Sequence, residues 1–139
     1  MKNLHKLMVT LFTAVIILSF NSYGQEDEYT PKESVLKKAY EVCPVSLNSN
    51  IQGIVEASIY NVILLKKYYP SANYSDIIDK LNEIAEKNID PSIRFKAHLA
   101  SIYLNFYDII DIRPKFDFDH EYIYKQITGQ LENNLVVNN

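Results

Sequence analysis

Five polar side chains in one short stretch have the spacing that chemistry on a helix requires. Arg94, His98, Ser101, Asn105 and Asp108 follow one another by four, three, four and three residues, which places them on a single stripe. A guanidinium, an imidazole, a hydroxyl, an amide and a carboxylate in a row suit an anionic ligand or a partner peptide. The same stripe is also the solvated face that every amphipathic helix needs. His98 has no second His or Cys at ligand spacing on its own segment. The second cluster lies in "DIRPKFDFDHEY", where Asp117, Asp119, His120 and Glu121 bring oxygen and imidazole donors close together. Such donors suit a divalent cation. Their spacing matches neither the calcium loop, with its Gly and terminal Glu, nor the H-E-x-x-H zinc helix. Acids at a helix start are favoured by the helix dipole in any case, so neither a metal nor a cofactor is expected.

Tyrosine is the compositional anomaly: the chain has 11 Tyr and no Trp. Amphipathic rings of this kind anchor protein interfaces, and they also border cores with the hydroxyl in water. The adjacent Tyr68 and Tyr69, beside Pro70, are the pair with the strongest claim to a binding role. Cys43 is the only cysteine, so no intramolecular disulfide can form. Val35, Ala39, Val42 and Cys43 fall at helical spacing, which makes Cys43 a small core hydrophobe and not a nucleophile. No nucleophile elbow, phosphate-cradling Gly-rich loop or paired-Cys metal site is present.

The N-terminus speaks to compartment. Lys2 and Lys6 precede an uncharged, mostly apolar run from Leu7 to Phe20, and "NSYGQ" follows with its small residues. This is the order of a secretory signal peptide over residues 1–24, cut after Gly24, and the apolar run falls short of the roughly 20 residues a membrane span needs. A periplasmic or secreted protein is expected. Loss of Lys2 and Lys6 leaves 12 basic against 17 acidic side chains, a net charge of −5. A mildly acidic chain with no basic stripe lacks the footprint of a nucleic-acid binder.

The rest reads as one all-α domain over residues 33–131, after an extension at 25–32 and before a tail at 132–139. "TPKE" gives Thr30 as a cap with Pro31 and Glu33, opening a first helix that stops at Pro44. "SNIQ" pairs Ser49 with Gln52 in the same way and opens a long apolar helix ending near Tyr69. A third helix runs from Asp76 to about Lys87, capped by Ser75, with Ile77, Ile78, Leu81, Ile84 and Ala85 on one face. Asp90 and Pro91 start a fourth, expected to reach Ile110 with Phe95, Leu99, Ile102, Phe106 and Ile109 among its buried residues. A fifth begins near Asp117 or Asp119 and ends at Thr128, with Gly129 as its C-terminal cap.

The tetrapeptide "ASIY" occurs twice, at residues 57–60 and 100–103. Sliding the chain on itself by 42 places Val35 on Ile77, Lys38 on Lys80, Glu41 on Glu83 and Val42 on Ile84, and one further residue of slip aligns the two tetrapeptides. A duplicated helical hairpin accounts for both. Its period is similar to that of HEAT-type repeats, roughly 40 to 47 residues; the resemblance covers residues 33–110 and is one of architecture, with no HEAT signature matched. The expected fold is thus two similar hairpins, stacked in the HEAT manner or packed as an antiparallel bundle, plus a C-terminal capping helix. The expected function is an exported adaptor that binds another envelope or secreted protein, or a peptide, through a helix face or the Tyr-rich loop. The alternative is a small metal-assisted hydrolase using His98 or His120 with nearby carboxylates.

Overall fold

A computed structural model describes residues 31–113 and 120–137. The expected leader, Thr30, Asp117 and Asp119 lie outside the described residues. Five helices follow in order: α1 Glu33–Leu47, α2 Gln52–Tyr68, α3 Ser75–Lys87, α4 Pro91–Asn105 and α5 Glu121–Val137. There is no strand among the described residues. Short connections turn α1 back onto α2 and α3 back onto α4, and each pair packs closely. The two hairpins lie side by side, α1 against α3 and α2 against α4, with α5 added on α4. Although consecutive, α2 and α3 share no comparable interface, so connection 69–74 crosses from one layer to the other. Neighbours of this kind are those of stacked hairpins, not of a ring in which each helix touches the next.

One core joins all the elements. Leu36, Cys43 and Leu47 enter it from α1, Ile59, Val62 and Ile63 from α2, Ile77, Leu81 and Ile84 from α3, Ile93, Ala97, Ala100 and Leu104 from α4, and Ile123 and Ile127 from α5. Each Leu or Ile so buried contributes about 1.5–3 kcal/mol relative to exposure. The buried positions repeat with a register of their own. Val55, Ser58, Ile59, Val62 and Ile63 of α2 are buried, as are Lys96, Leu99, Ala100, Tyr103 and Leu104 of α4, each 41 residues further on. Leu36 and Cys43 of α1 relate to Ile77 and Ile84 of α3 by the same step. The two copies of "ASIY" are therefore not equivalent in space: Ile59 is fully buried, whereas Ile102 is only partly so.

Several helix ends depart from expectation. At the start of α4, the Asp90 carboxylate accepts the Ser92 amide proton at 2.8 Å and Pro91 follows, as its sequence dictates. By contrast α1 runs through Pro44 to Leu47. Pro44 forfeits one helical hydrogen bond, but Ser46 and Leu47 beyond it are buried and hold the last turn in place. The Ser49–Gln52 capping box is not formed, because Ser49 accepts from the Ile51 amide at 3.1 Å and Gln52 accepts from Asn88 at 3.1 Å. Ser75 is the first residue of α3, and it is Asn73 that takes up its amide and hydroxyl protons. At the other end of the second hairpin α4 stops at Asn105, and Phe106 accepts from the amides of Ile109 and Ile110 in a tight turn. Leaving the helix there has a physical reason: Ile110 and Ile112 would point to opposite sides of a helix, whereas extended chain turns both inward. Finally, α5 continues past Gly129 to Val137, since Leu131 extends the apolar stripe of Ile123 and Ile127.

Candidate functional site

In a stack of two hairpins the outer side of the second one has no successor to cover it. On α4 that side is formed by Phe95, His98, Ile102 and Asn105, which share a face at spacings of three and four, with Phe106 just beyond the helix end. Phe95 and Phe106 are 54% and 52% exposed, and Ile109 in the following turn is 62% exposed. These three were expected in the core. The burial repeat explains the difference: Lys96, Leu99, Ala100, Tyr103 and Leu104 turn toward α2 and the core, which rotates Phe95 and Phe106 outward. Asn82 of α3 joins the two helices along this face, accepting the Ser101 hydroxyl proton at 2.7 Å. Ile78 and Ala85, one turn to either side of Asn82, are half-buried. The result is a shallow surface with aromatic rings at both ends and the exposed imidazole of His98 between them.

The five residues of the expected polar stripe have separate roles. Arg94 donates to the carbonyls of Asn88 and Ile89 at 2.9 and 3.4 Å, tying down the α3–α4 turn. Ser101 is buried at the helix contact. Asn105 donates to the Ser101 carbonyl at 2.9 Å, closing the end of its own helix. Asp108 lies beyond the helix, beside a cavity of about 330 Å³ lined also by Lys67, Tyr103, Tyr107 and Asp111. Of the five, His98 and the terminal Asn105 are exposed on the outer face of α4 proper.

Tyr68 and Tyr69 are half-buried and pack against the core. The Tyr69 ring meets Tyr40 edge-on at 6.4 Å, and its carbonyl accepts from the Tyr74 hydroxyl at 3.0 Å. Tyr40 also meets Tyr74 edge-on at 5.6 Å, and the Lys66 ammonium sits 4.8 Å from the Tyr74 ring and 5.2 Å from Tyr107. Burial, with the neighbouring Cys43 and Tyr40, pushes the Tyr74 hydroxyl well above the usual phenol range. This knot of rings fastens the crossing connection.

A cluster that sequence spacing did not single out lies where α2, α4 and α5 meet. Lys96 is 7% exposed at the position that Val55 holds in the first hairpin. Its ammonium pairs with Glu56 at 2.5 Å and with Glu121, and lies 5.5 Å from the Tyr124 ring. Burial presses the ammonium toward neutrality, but the hydrogen bonds and charges of Glu121 and Glu56 outweigh it and the Lys96 pKa is raised. The signal was present in "IRFKAHLA", a lysine among the apolar positions Ile93, Ala97 and Ala100. His120 stacks on Tyr60 at 4.2 Å, and among the described residues no three His, Cys, Asp or Glu side chains are grouped to hold a metal ion. Cys43 is buried, and burial pushes its thiol up to about 12.

No helix among the described residues is long and apolar enough to cross a membrane. Comparison with family models, with curated proteins and with solved structures finds no match for this chain.

Proposed function

We propose that this chain is an exported adaptor whose outer α3–α4 face seats a helical segment of another envelope or secreted protein. The observation that carries the reading is the exposure of Phe95, Phe106 and Ile109 along one uncovered side of the second hairpin. Large apolar groups clustered on a surface are characteristic of protein interaction sites. The first hairpin already meets the second through parallel neighbours, α1 on α3 and α2 on α4, and a partner helix laid along α4 would repeat that contact. Aromatic anchors at each end and a polar His98 between them supply grip and register.

Capture from the envelope fraction with the wild-type chain and with a Phe95→Asp/Phe106→Asp variant tests this. One prey protein is expected on the wild type and absent from the variant, with helical circular dichroism unchanged. Equal recovery on both would discard the α4 face as the site. The mass of the exported product tests the compartment, a chain beginning at Gln25 being the expected form.

A further inference from the structure

Segment 110–113 is extended chain that belongs to no helix, yet side chains engage both backbone polar groups of Asp111 and of Arg113 and the carbonyl of Ile112. The Asp111 amide donates to Gln130 Oε1 at 2.9 Å, and Gln130 Nε2 donates back to the Asp111 carbonyl. The Arg113 amide donates to Gln126 Oε1 at 2.9 Å, and Gln126 Nε2 returns a bond to the Arg113 carbonyl at 3.1 Å. Between them Lys67 of α2 donates to the Ile112 carbonyl at 2.5 Å. Two glutamine amides thus do for this segment what a neighbouring strand does in a sheet.

The geometry is commensurate. Gln126 and Gln130 are four residues apart on α5, a rise of about 6 Å, while Asp111 and Arg113 are two residues apart on extended chain, about 6.7 Å. One helical step therefore meets one strand repeat, with the segment antiparallel to α5. Alternate side chains turn inward: Ile110 and Ile112 are 2% and 1% exposed, beside the buried Ile123 and Ile127 of α5, while Asp111 and Arg113 face out. Main-chain groups carry the recognition, and the only side-chain requirement is an apolar residue at every second position. That is how an extended peptide is read by a groove.

We propose that the Gln126–Gln130 face of α5 is a binding site for an extended peptide of alternating apolar and polar residues, held closed in this structure by the chain's own segment 110–113 as a tethered occupant. A partner segment of the same pattern would displace it. The site is on α5, apart from the outer α4 face, and does not depend on that surface being functional. As a tethered competitor, segment 110–113 acts at high effective concentration, so a free peptide binds weakly until the tether is loosened.

The test is titration of the acetylated, amidated peptide Ile-Asp-Ile-Arg into the full isotope-labelled chain, reading the side-chain amide resonances of Gln126 and Gln130. Saturable shifts are expected, at least ten-fold tighter in Ile112→Ala than in the wild type; the backbone amide resonances of Ile123 and Ile127, followed in parallel, should shift with them and should stay unmoved when Gln126→Leu and Gln130→Leu are added. A folded Ile112→Ala chain with no saturable shift, or with the wild-type affinity, overturns the proposal. If Ile112→Ala does not fold, Arg113→Pro decides, since it removes one clamp bond without touching the core. It should tighten binding about five-fold, in keeping with one lost hydrogen bond, and no gain there is likewise fatal. The peptide Gly-Asp-Gly-Arg binding as well as Ile-Asp-Ile-Arg would overturn the apolar requirement.

Discussion

At the scale of single residues, Cys43 and Lys96 show two ways of burying a polar group. Cys43 stays a neutral thiol. Its pKa, ordinarily 9.0, stands at about 12 in the fold, so the folded state favours the protonated form. That contribution is complete below pH 9 and is lost as pH rises toward 12, and the raised Lys96 pKa acts in the same direction from 10.5 upward. Stability should therefore decline on the alkaline side from about pH 9, and Cys43 should label with a thiol reagent at the rate of global unfolding. Fast labelling of the native chain would place the thiol at the surface. Lys96 keeps its charge because two carboxylates meet it. Glu56 and Glu121 are 45% and 54% exposed, so Lys96→Met leaves both in contact with water and should change stability by less than about 1.5 kcal/mol. Glu56→Gln/Glu121→Gln strands the ammonium and should cost about 3 kcal/mol. Chemical denaturation of the two variants checks the asymmetry.

At the scale of elements, the neighbours Leu99 and Ile102 separate the inner from the outer side of α4. Leu99 is 4% exposed and Ile102 only half-covered. Leu99→Asp should abolish cooperative unfolding, whereas Ile102→Asp should leave a folded chain with a moderately lower Tm; matching losses would mean that α4 is turned differently. Gly129, inside α5, has nothing within 4 Å of where a Cβ would stand, so Gly129→Ala should add about 0.5–1 kcal/mol. How much of this was legible in the sequence depended on the range of the controlling interaction. The Asp90–Pro91 start and the apolar face of α3 were readable because residues close together in the chain determine them. Pro44 misled because the burial of Leu47, a tertiary effect, outweighed a local one. Likewise the end of α4 and the inward turn of Ile110 and Ile112 depend on α5, further along the chain. Gln126 and Gln130 carried no visible signal, since an amide pair acquires meaning only when a strand lies beside it.

At the scale of the whole molecule, the stack is short and has one covered side. The arrangement of hairpins was legible from helix count, loop length and period, but the choice between stack and ring was not, because it turns on where the 69–74 crossing goes. The apparent repeat of "ASIY" pointed to the right architecture through a register the burial pattern does not share: 41 residues is the spacing that packing imposes. α5 completes the fold by covering Lys96, Ile110 and Ile112, and its clamp bonds tie residues 111 and 113 of the last connection to its own Gln130 and Gln126.

The unequal contact between neighbouring helices bears on the order in which the molecule assembles. α3 and α4 form the most extensive helix pair and are joined by the three residues 88–90, so their association demands the least loop closure. The second hairpin is then the natural nucleus, with the first condensing on it and α5 arriving last. Conservative truncations should report this in their rates: Leu81→Ala and Ala97→Gly should slow refolding, while Ile127→Val should chiefly speed unfolding. A stopped-flow series in which Ile127→Val slows refolding as much as Leu81→Ala would instead make the C-terminal helix an early partner.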